Sequence, residues 1–247
     1  MNLNTFNIKT VNQQFSINSE IDDKDIAVIC YGHLRSFLYA LPTTLSSISK
    51  IGNPHIYMHT WDNLDSEIGK EFNDNKYIDL PQIIRSICNK FNLVSLQIDS
   101  QNSLDKFFDK TTFPKANISY MYYSKWAANQ LKKQVENRLL MRYKRCIKIR
   151  PDIKIEESIG DLDIKKEYFF MGFNKSHPDI VALTSSKNMD NICSFIKSID
   201  IKKKQEEVQK DYINYMENIL KLKQSTLTYG KDWNIIRLSY FNESDNL

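Results

Sequence analysis

The sequence predicts an α/β fold: a mostly parallel sheet flanked by helices, with further helices toward the C-terminus. Two observations lead there. Short apolar runs that read as strands alternate with segments whose apolar residues recur at helical spacing, the pattern of βαβ units. Three of those runs also end on residues of a kind that binds ligands, and open α/β sheets bind ligands just beyond the C-terminal ends of their strands. The first run, IAVIC, leads into Tyr31, Gly32, His33 and Arg35. The second, HIYMHT, carries His59 and leads into Trp61 and Asp62, and the third, RCIKI, leads into Arg150, Pro151 and Asp152.

Taken in order, residues 1–24 are polar and Asn-rich and read as a loose arm or an edge element. Ile26–Cys30 is an apolar run with charge before it and a glycine turn after it, hence a buried strand. From Arg35 to about Lys50, Phe37, Leu38, Leu41, Leu45 and Ile48 line one face of a helix interrupted by Pro42. His55–Thr60 is a second strand, and a polar excursion follows it. Leu80 to about Phe91 is a helix with Pro81 in its first turn and Ile83, Ile84, Ile87 and Cys88 as its stripe. Val94–Ile98 is a third strand, and residues 100–118 show no period. Ser119–Tyr143, rich in Ala, Leu, Lys, Gln and Glu, is the strongest helix. Arg145–Ile155 alternates as a strand, but Pro151 donates no ladder hydrogen bond, so pairing breaks there. Tyr168–Met171 and Ile180–Leu183 read as strands, Asn188–Ser198 and Lys203–Lys223 as amphipathic helices, and Ile235, Ile236 and Leu238 as a last strand. With no repeat or low-complexity linker, residues 25–247 read as one domain.

Composition narrows the function. Thirteen Tyr, 13 Phe and 3 Trp with 26% charged residues give enough apolar mass for a core. A net charge of +4 suits an anionic small ligand or a membrane-surface contact and falls well short of a nucleic-acid footprint. Cys30, Cys88, Cys146 and Cys193 lie far apart, without the close pairs a zinc site needs, so they read as buried free thiols of a reducing compartment. The first residues lack the apolar core of a signal peptide, and no run approaches the ~20 apolar residues of a membrane span. A cytoplasmic protein without a transmembrane segment is expected. Neither GxGxxG nor the P-loop signature occurs.

Asp152 is the leading candidate for chemistry. A strand-end carboxylate can hold a divalent cation that bridges phosphate oxygens, and Arg150 beside it can pair with a phosphate or hold the carboxylate; an ordinary ion pair at a strand exit is the plainer alternative. Gly32 lets the backbone approach a ligand, Arg35 adds charge, and the following helix start offers N–H groups to an anion, unless this is simply a strand-to-helix turn. Trp61 can stack on a ring while Asp62 accepts from hydroxyls; the alternative is a core tryptophan with a satisfied His59. Ser119, Tyr120, Tyr123, Ser124 and Lys125 open the long helix, where hydroxyls cap a helix start or face a cleft. His177, Pro178 and Asp179 form a turn in which the Asp179 carboxylate or the His177 imidazole can act as a general base for an acceptor hydroxyl, or which is simply a turn before a short strand. Lys202–Lys204 reads as a solvated helix start, with a membrane contact as the sharper reading.

These residues together resemble a family of small bacterial polysaccharide-biosynthesis glycosyltransferases with a Rossmann-like, GT-A-type fold, found in lipopolysaccharide and capsule gene clusters. Four matches in order carry the resemblance: Tyr31-Gly32-His33-Leu34-Arg35-Ser36, His59-Thr60-Trp61-Asp62, Tyr123-Ser124 ahead of Ala127 and Ala128, and Arg150-Pro151-Asp152. A weaker echo lies in Asp179 to Met189 and in Ile236-Arg237. The resemblance implies transfer of a sugar from a nucleotide-sugar donor to a saccharide or lipid-linked saccharide acceptor, with peripheral membrane contact on the cytoplasmic side. It implies donor binding by Tyr31, Gly32, Arg35, His59, Trp61, Asp62, Tyr123 and Ser124, with Arg150 and Asp152 managing the diphosphate and Asp179 as base. It also implies Mg²⁺ or Mn²⁺ on Asp152. Here Arg150 stands where such enzymes usually carry the first Asp of Asp-x-Asp, so the arginine is an alternative neutraliser. Two other classes stay open: a sulfo- or phospho-transferase acting on glycans, and a non-enzymatic nucleotide- or carbohydrate-binding module.

Overall fold

The computed structural model describes residues 10–15, 21–62, 79–101, 116–155, 166–171, 181–199, 205–226 and 233–235. Its strands are β1 (Thr10–Gln14), β2 (Asp25–Tyr31), β3 (Asn53–Trp61), β4 (Asn92–Asp99), β5 (Arg145–Ile149), β6 (Ile153–Ile155), β7 (Tyr168–Met171), β8 (Val181–Thr184), β9 (Lys223–Thr226) and β10 (Trp233–Ile235). Its α-helices are α1 (Phe37–Ser49), α2 (Leu80–Cys88), α3 (Ala116–Leu139), α4 (Ser186–Ser194) and α5 (Gln205–Asn214). An eight-stranded sheet runs β1-β4-β3-β2-β5-β8-β7-β9, and β6 pairs with β10 apart from it. The sheet is mostly parallel: β2 lies parallel to both β3 and β5, β3 to β4, and β7 to β9. Antiparallel pairing enters at β1–β4 and on either side of β8.

The parallel centre is covered on both faces, as such sheets require. Every residue of β2 is buried, and alternate side chains serve opposite layers. Ile26, Val28 and Cys30 join Ile56, Met58, Leu96, Ile98, Ile147 and Ile149 beneath α1 and α2. Ala27, Ile29 and Tyr31 join Tyr57 and Val94 beneath Ala128, Leu131 and Val135 of α3. A third cluster packs Trp61 and the first turns of α3 against Phe195, Tyr212 and Met216 of the C-terminal helices. The four cysteines are buried and free.

Two expectations hold. Of the loose arm or edge element expected over residues 1–24, β1 is an edge strand, in register with β4 from Thr10↔Asp99 to Gln14↔Ser95. Pairing in the run 145–155 breaks at Pro151 as expected, and Arg150–Asp152 takes the chain out of the main sheet before β6. Other boundaries move. The long helix ends at Leu139 rather than Tyr143. Leu140 takes a left-handed φ of 54°, and the N–H groups of Met141 and Leu140 bond back to the carbonyls of Glu136 (3.1 Å) and Asn137 (3.4 Å). That is a Schellman stop with leucine where glycine is usual. The Glu136 carboxylate adds a bond from the Tyr143 N–H at 3.0 Å. The helix expected over Lys203–Lys223 gives way to a π-turn at Tyr215–Ile219 and then to β9. The four residues of β9, KQST, have no apolar alternation, and the strand is placed by pairing along β7. Among the described residues no helix is long and apolar enough to cross a membrane.

Candidate functional site

At the parallel centre of the sheet the chain reverses its direction of travel. From β2 it moves outward through β3 to β4, with α1 and α2 on one face. It then returns over the opposite face through α3 and enters β5 on the other side of β2. The C-terminal ends of β2 and β5 therefore flank a topological switch point, the place where open α/β sheets hold ligands. Gly32 and Arg35 follow β2; Arg150 and Asp152 follow β5.

At that point Asp152 organises two arginines. Arg150 donates from Nε to Oδ1 at 2.9 Å and from an NH2 hydrogen to Oδ2 at 2.5 Å, a fork that fixes both planes. Arg35 brings NH1 to 3.6 Å from the same Oδ2. The carboxylate is 1% exposed, while the Arg35 and Arg150 side chains are 31% and 20% exposed. The guanidinium groups thus reach the surface over a buried anchor. Arg35 holds a φ of 25°, in the left-handed region. Backbone strain in a non-glycine residue next to a charged cluster is the kind that persists at ligand sites.

The turn carrying Arg35 is pinned from below. Gly32, at φ 112°, donates its N–H to Ser124 Oγ at 2.8 Å and to the His59 carbonyl at 3.2 Å. Its own carbonyl accepts from Thr60 Oγ1 at 2.9 Å. A Cβ added to Gly32 would meet nothing within 4 Å, so the glycine answers to its backbone angle and not to crowding. Ser124 Oγ lies 2.7 Å from His59 Nδ1, and His59 Nε2 lies 3.0 Å from Asp99 Oδ2. The Tyr123 hydroxyl and Gln97 Nε2 donate to the same Asp99 oxygen, each at 2.9 Å. Burial and the Asp99 charge push the Tyr123 hydroxyl far up from its ordinary value, so it stays a donor. Asp99 was not singled out in the sequence, although it ends β4 and so satisfies the same strand-end rule that found the others.

The remaining expected residues fall in different places. Trp61 is wholly buried, edge-on to His59 and Tyr120 and tilted against Tyr123. It forms the wall behind the turn, and neither face is presented for stacking on a ligand. Tyr31 is likewise buried, on the α3 side, with Lys125 Nζ 5.5 Å and Lys148 Nζ 5.7 Å from its ring centre. His59, Tyr123 and Ser124 are buried too, beneath the turn and not at the surface. Asp62 is exposed at the end of β3, its carboxylate accepting the Gln101 N–H at 3.1 Å. Asp179 and His177, the side chain of Ser119, Lys202–Lys204 and Ile236-Arg237 lie outside the described residues.

A divalent cation would need hard oxygen donors with lone pairs to offer. Asp152 brings one carboxylate, and both of its oxygens already accept from Arg150 with a second guanidinium alongside. Among the described residues no three His, Cys, Asp or Glu side chains come together. That donor set does not fit Mg²⁺ or Mn²⁺; it fits an anion held by arginines.

No family model matches the sequence, and no curated protein matches it. Among solved structures, the apo form of the glycosyltransferase GlyE of Streptococcus pneumoniae TIGR4 is similar over 84% of this chain, at 11% identity and a TM-score of 0.37. The chain spans 46% of that protein's length.

Proposed function

We propose that the chain is a glycosyltransferase that moves a sugar from a nucleotide-sugar donor to a saccharide or lipid-linked saccharide acceptor, in the assembly of a surface polysaccharide on the cytoplasmic side of a membrane. The observation that carries this reading is the Arg35–Asp152–Arg150 group at the switch point. When the bond between the sugar's anomeric carbon and the donor phosphate oxygen breaks, its electron pair passes to the nucleoside diphosphate. Two guanidinium groups already oriented there stabilise that developing charge without reorganising. Arg35 and Arg150 contact the diphosphate, and Asp152 keeps their planes in register. Asp62 accepts hydrogen bonds from donor hydroxyls. The acceptor hydroxyl attacks the anomeric carbon, and Asp179 takes its proton. The order of the four short motifs along the sequence supports the same reading, and the net charge of +4 suits an anionic donor.

The test is a thermal-shift panel of UDP, GDP, CMP and their sugars, each in EDTA and in Mn²⁺. A ligand at about 100 times its dissociation constant stabilises by about 2.7 kcal/mol. A rise with one nucleotide class in EDTA is expected. A rise that requires Mn²⁺ would return a cation to Asp152, and silence across the whole panel would refute the reading.

A further inference from the structure

The hydrogen-bonded chain below the turn runs unbroken from Asp99 to Gly32. A carboxylate only accepts, so the hydrogen shared by His59 and Asp99 sits on Nε2. On the other side of the ring, Nδ1 shares a hydrogen with the Ser124 hydroxyl at 2.7 Å. The same hydroxyl oxygen accepts the Gly32 N–H. Each link is satisfied, each is 3.0 Å or shorter, and the His59, Asp99 and Ser124 side chains are all fully buried. A nucleophilic Ser–His–Asp set needs an accessible serine; here the oxygen is enclosed and bonded to a backbone amide. The arrangement therefore holds something in place and does not itself react. What it holds is Gly32, three residues before the strained Arg35.

We propose that Asp99 is a positioning residue which, acting through His59 and Ser124, locks the Gly32 turn so that Arg35 faces Asp152 ready to meet the donor diphosphate. The proposal rests on the reading above that Arg35 contacts that diphosphate. Asp99 suits the task because three elements bear on one of its oxygens: His59 from β3, Tyr123 from α3 and Gln97 from its own strand. Its backbone carbonyl also accepts the Asp62 N–H at 2.9 Å, which ties the end of β3 to the end of β4. The position of Arg35 is thus referred to strand ends two places away in the sheet.

The experiment uses Asp99→Asn and Ser124→Ala, with Ser124→Thr to restore the hydroxyl and Ile84→Ala as a core-destabilised control. Two readouts are taken: hydrogen exchange of the 31–36 backbone, and titration calorimetry with UDP and GDP in EDTA. In Asp99→Asn and Ser124→Ala, exchange over 31–36 should rise relative to 26–30, and affinity for the nucleotide that binds should fall about tenfold, one well-placed contact. Ser124→Thr should recover most of that affinity, and Ile84→Ala should keep it despite a lower melting temperature. Unchanged exchange in both variants would overturn the proposal whatever binds. Faster exchange with unchanged affinity would reduce Asp99 to a purely structural residue. If the unaltered protein binds neither nucleotide, the functional reading itself fails and takes the positioning role with it; if it binds and only the variants behave otherwise, the functional reading stands alone.

Discussion

Raising the pH tests the packing of this fold through its thiols. Burial pushes Cys88, Cys146 and Cys193 each up to about 12. Cys30 is raised well above its ordinary value, by burial first and then by the neighbouring Cys88 and Asp152 charges. In an unfolded chain the same groups titrate near 8.5. The folded state binds these protons more tightly, so its advantage is complete below pH about 8.5 and is lost progressively as pH climbs toward about 12. At pH 9.5 each thiol should cost about 1–1.5 kcal/mol, and the four together about 4–6. That is a large share of the 5–15 kcal/mol of stability that domains typically hold, roughly speaking. Tyr57 and Tyr143, both raised mainly by burial, extend the same trend above pH 10 or so. Urea unfolding in reductant between pH 7.5 and 9.5 measures the loss. Cys88→Ala with Cys193→Ala should remove about half of it while costing some stability at neutral pH. The reasoning is refuted if the alkaline slope is unchanged when all four cysteines are replaced, or if native thiols at pH 8 react with Ellman's reagent as fast as free cysteine.

Other expectations follow from single positions. Leu140 is 91% exposed at a φ of 54°, so Leu140→Gly should relieve left-handed strain while losing no packing. A gain of about 0.5–1 kcal/mol is expected, read as a rise of about 1–4 °C in Tm. Gly52 leaves no room: an added Cβ would lie 2.4 Å from the Lys24 carbonyl oxygen and 2.7 Å from Ile26 Cδ1. Gly52→Ala should therefore cost about 1–3 kcal/mol in urea unfolding, and a neutral result would contradict the close approach of β2 and the turn before β3. Asp152→Ala leaves two mostly buried arginine side chains without the carboxylate between them, which should cost about 1–3 kcal/mol after allowance for solvent screening. Adding Arg150→Gln should recover part of that loss. A double-mutant cycle with no coupling would mean that the Arg150–Asp152 fork contributes nothing in solution.

Much of the fold was legible because its determinants are local. The β2 run, the α2 stripe behind Pro81 and the apolar β3 each announce their own periodicity, and the structure places them within a few residues of where the pattern does. What escaped lacked a local signal. β9 is a polar tetrapeptide that becomes a strand only because β7 offers an edge. The end of α3 depends on Leu140 accepting a conformation that its type disfavours, which no composition rule anticipates.

The site divides along the same line. Arg35, Arg150 and Asp152 were found by one rule, charge at the ends of strands, and the sheet order brings β2 and β5 side by side to unite them. That adjacency comes from the switch in strand order, and residues more than a hundred positions apart give no sign of it in sequence. His59, Trp61, Tyr123 and Ser124 stand in the same motifs but are buried: motif order brings residues to one region, while burial, which the motifs do not report, sets which of them reach the surface. Asp99 shows the converse. It sits at the end of β4 beside a stretch without periodicity, and its importance emerges only when His59 and Tyr123 are seen to converge on one of its oxygens. Applying the strand-end rule to the four central parallel strands, with the polar residues then sorted by burial, separates the part-exposed arginines from the buried carboxylate and imidazole beneath them.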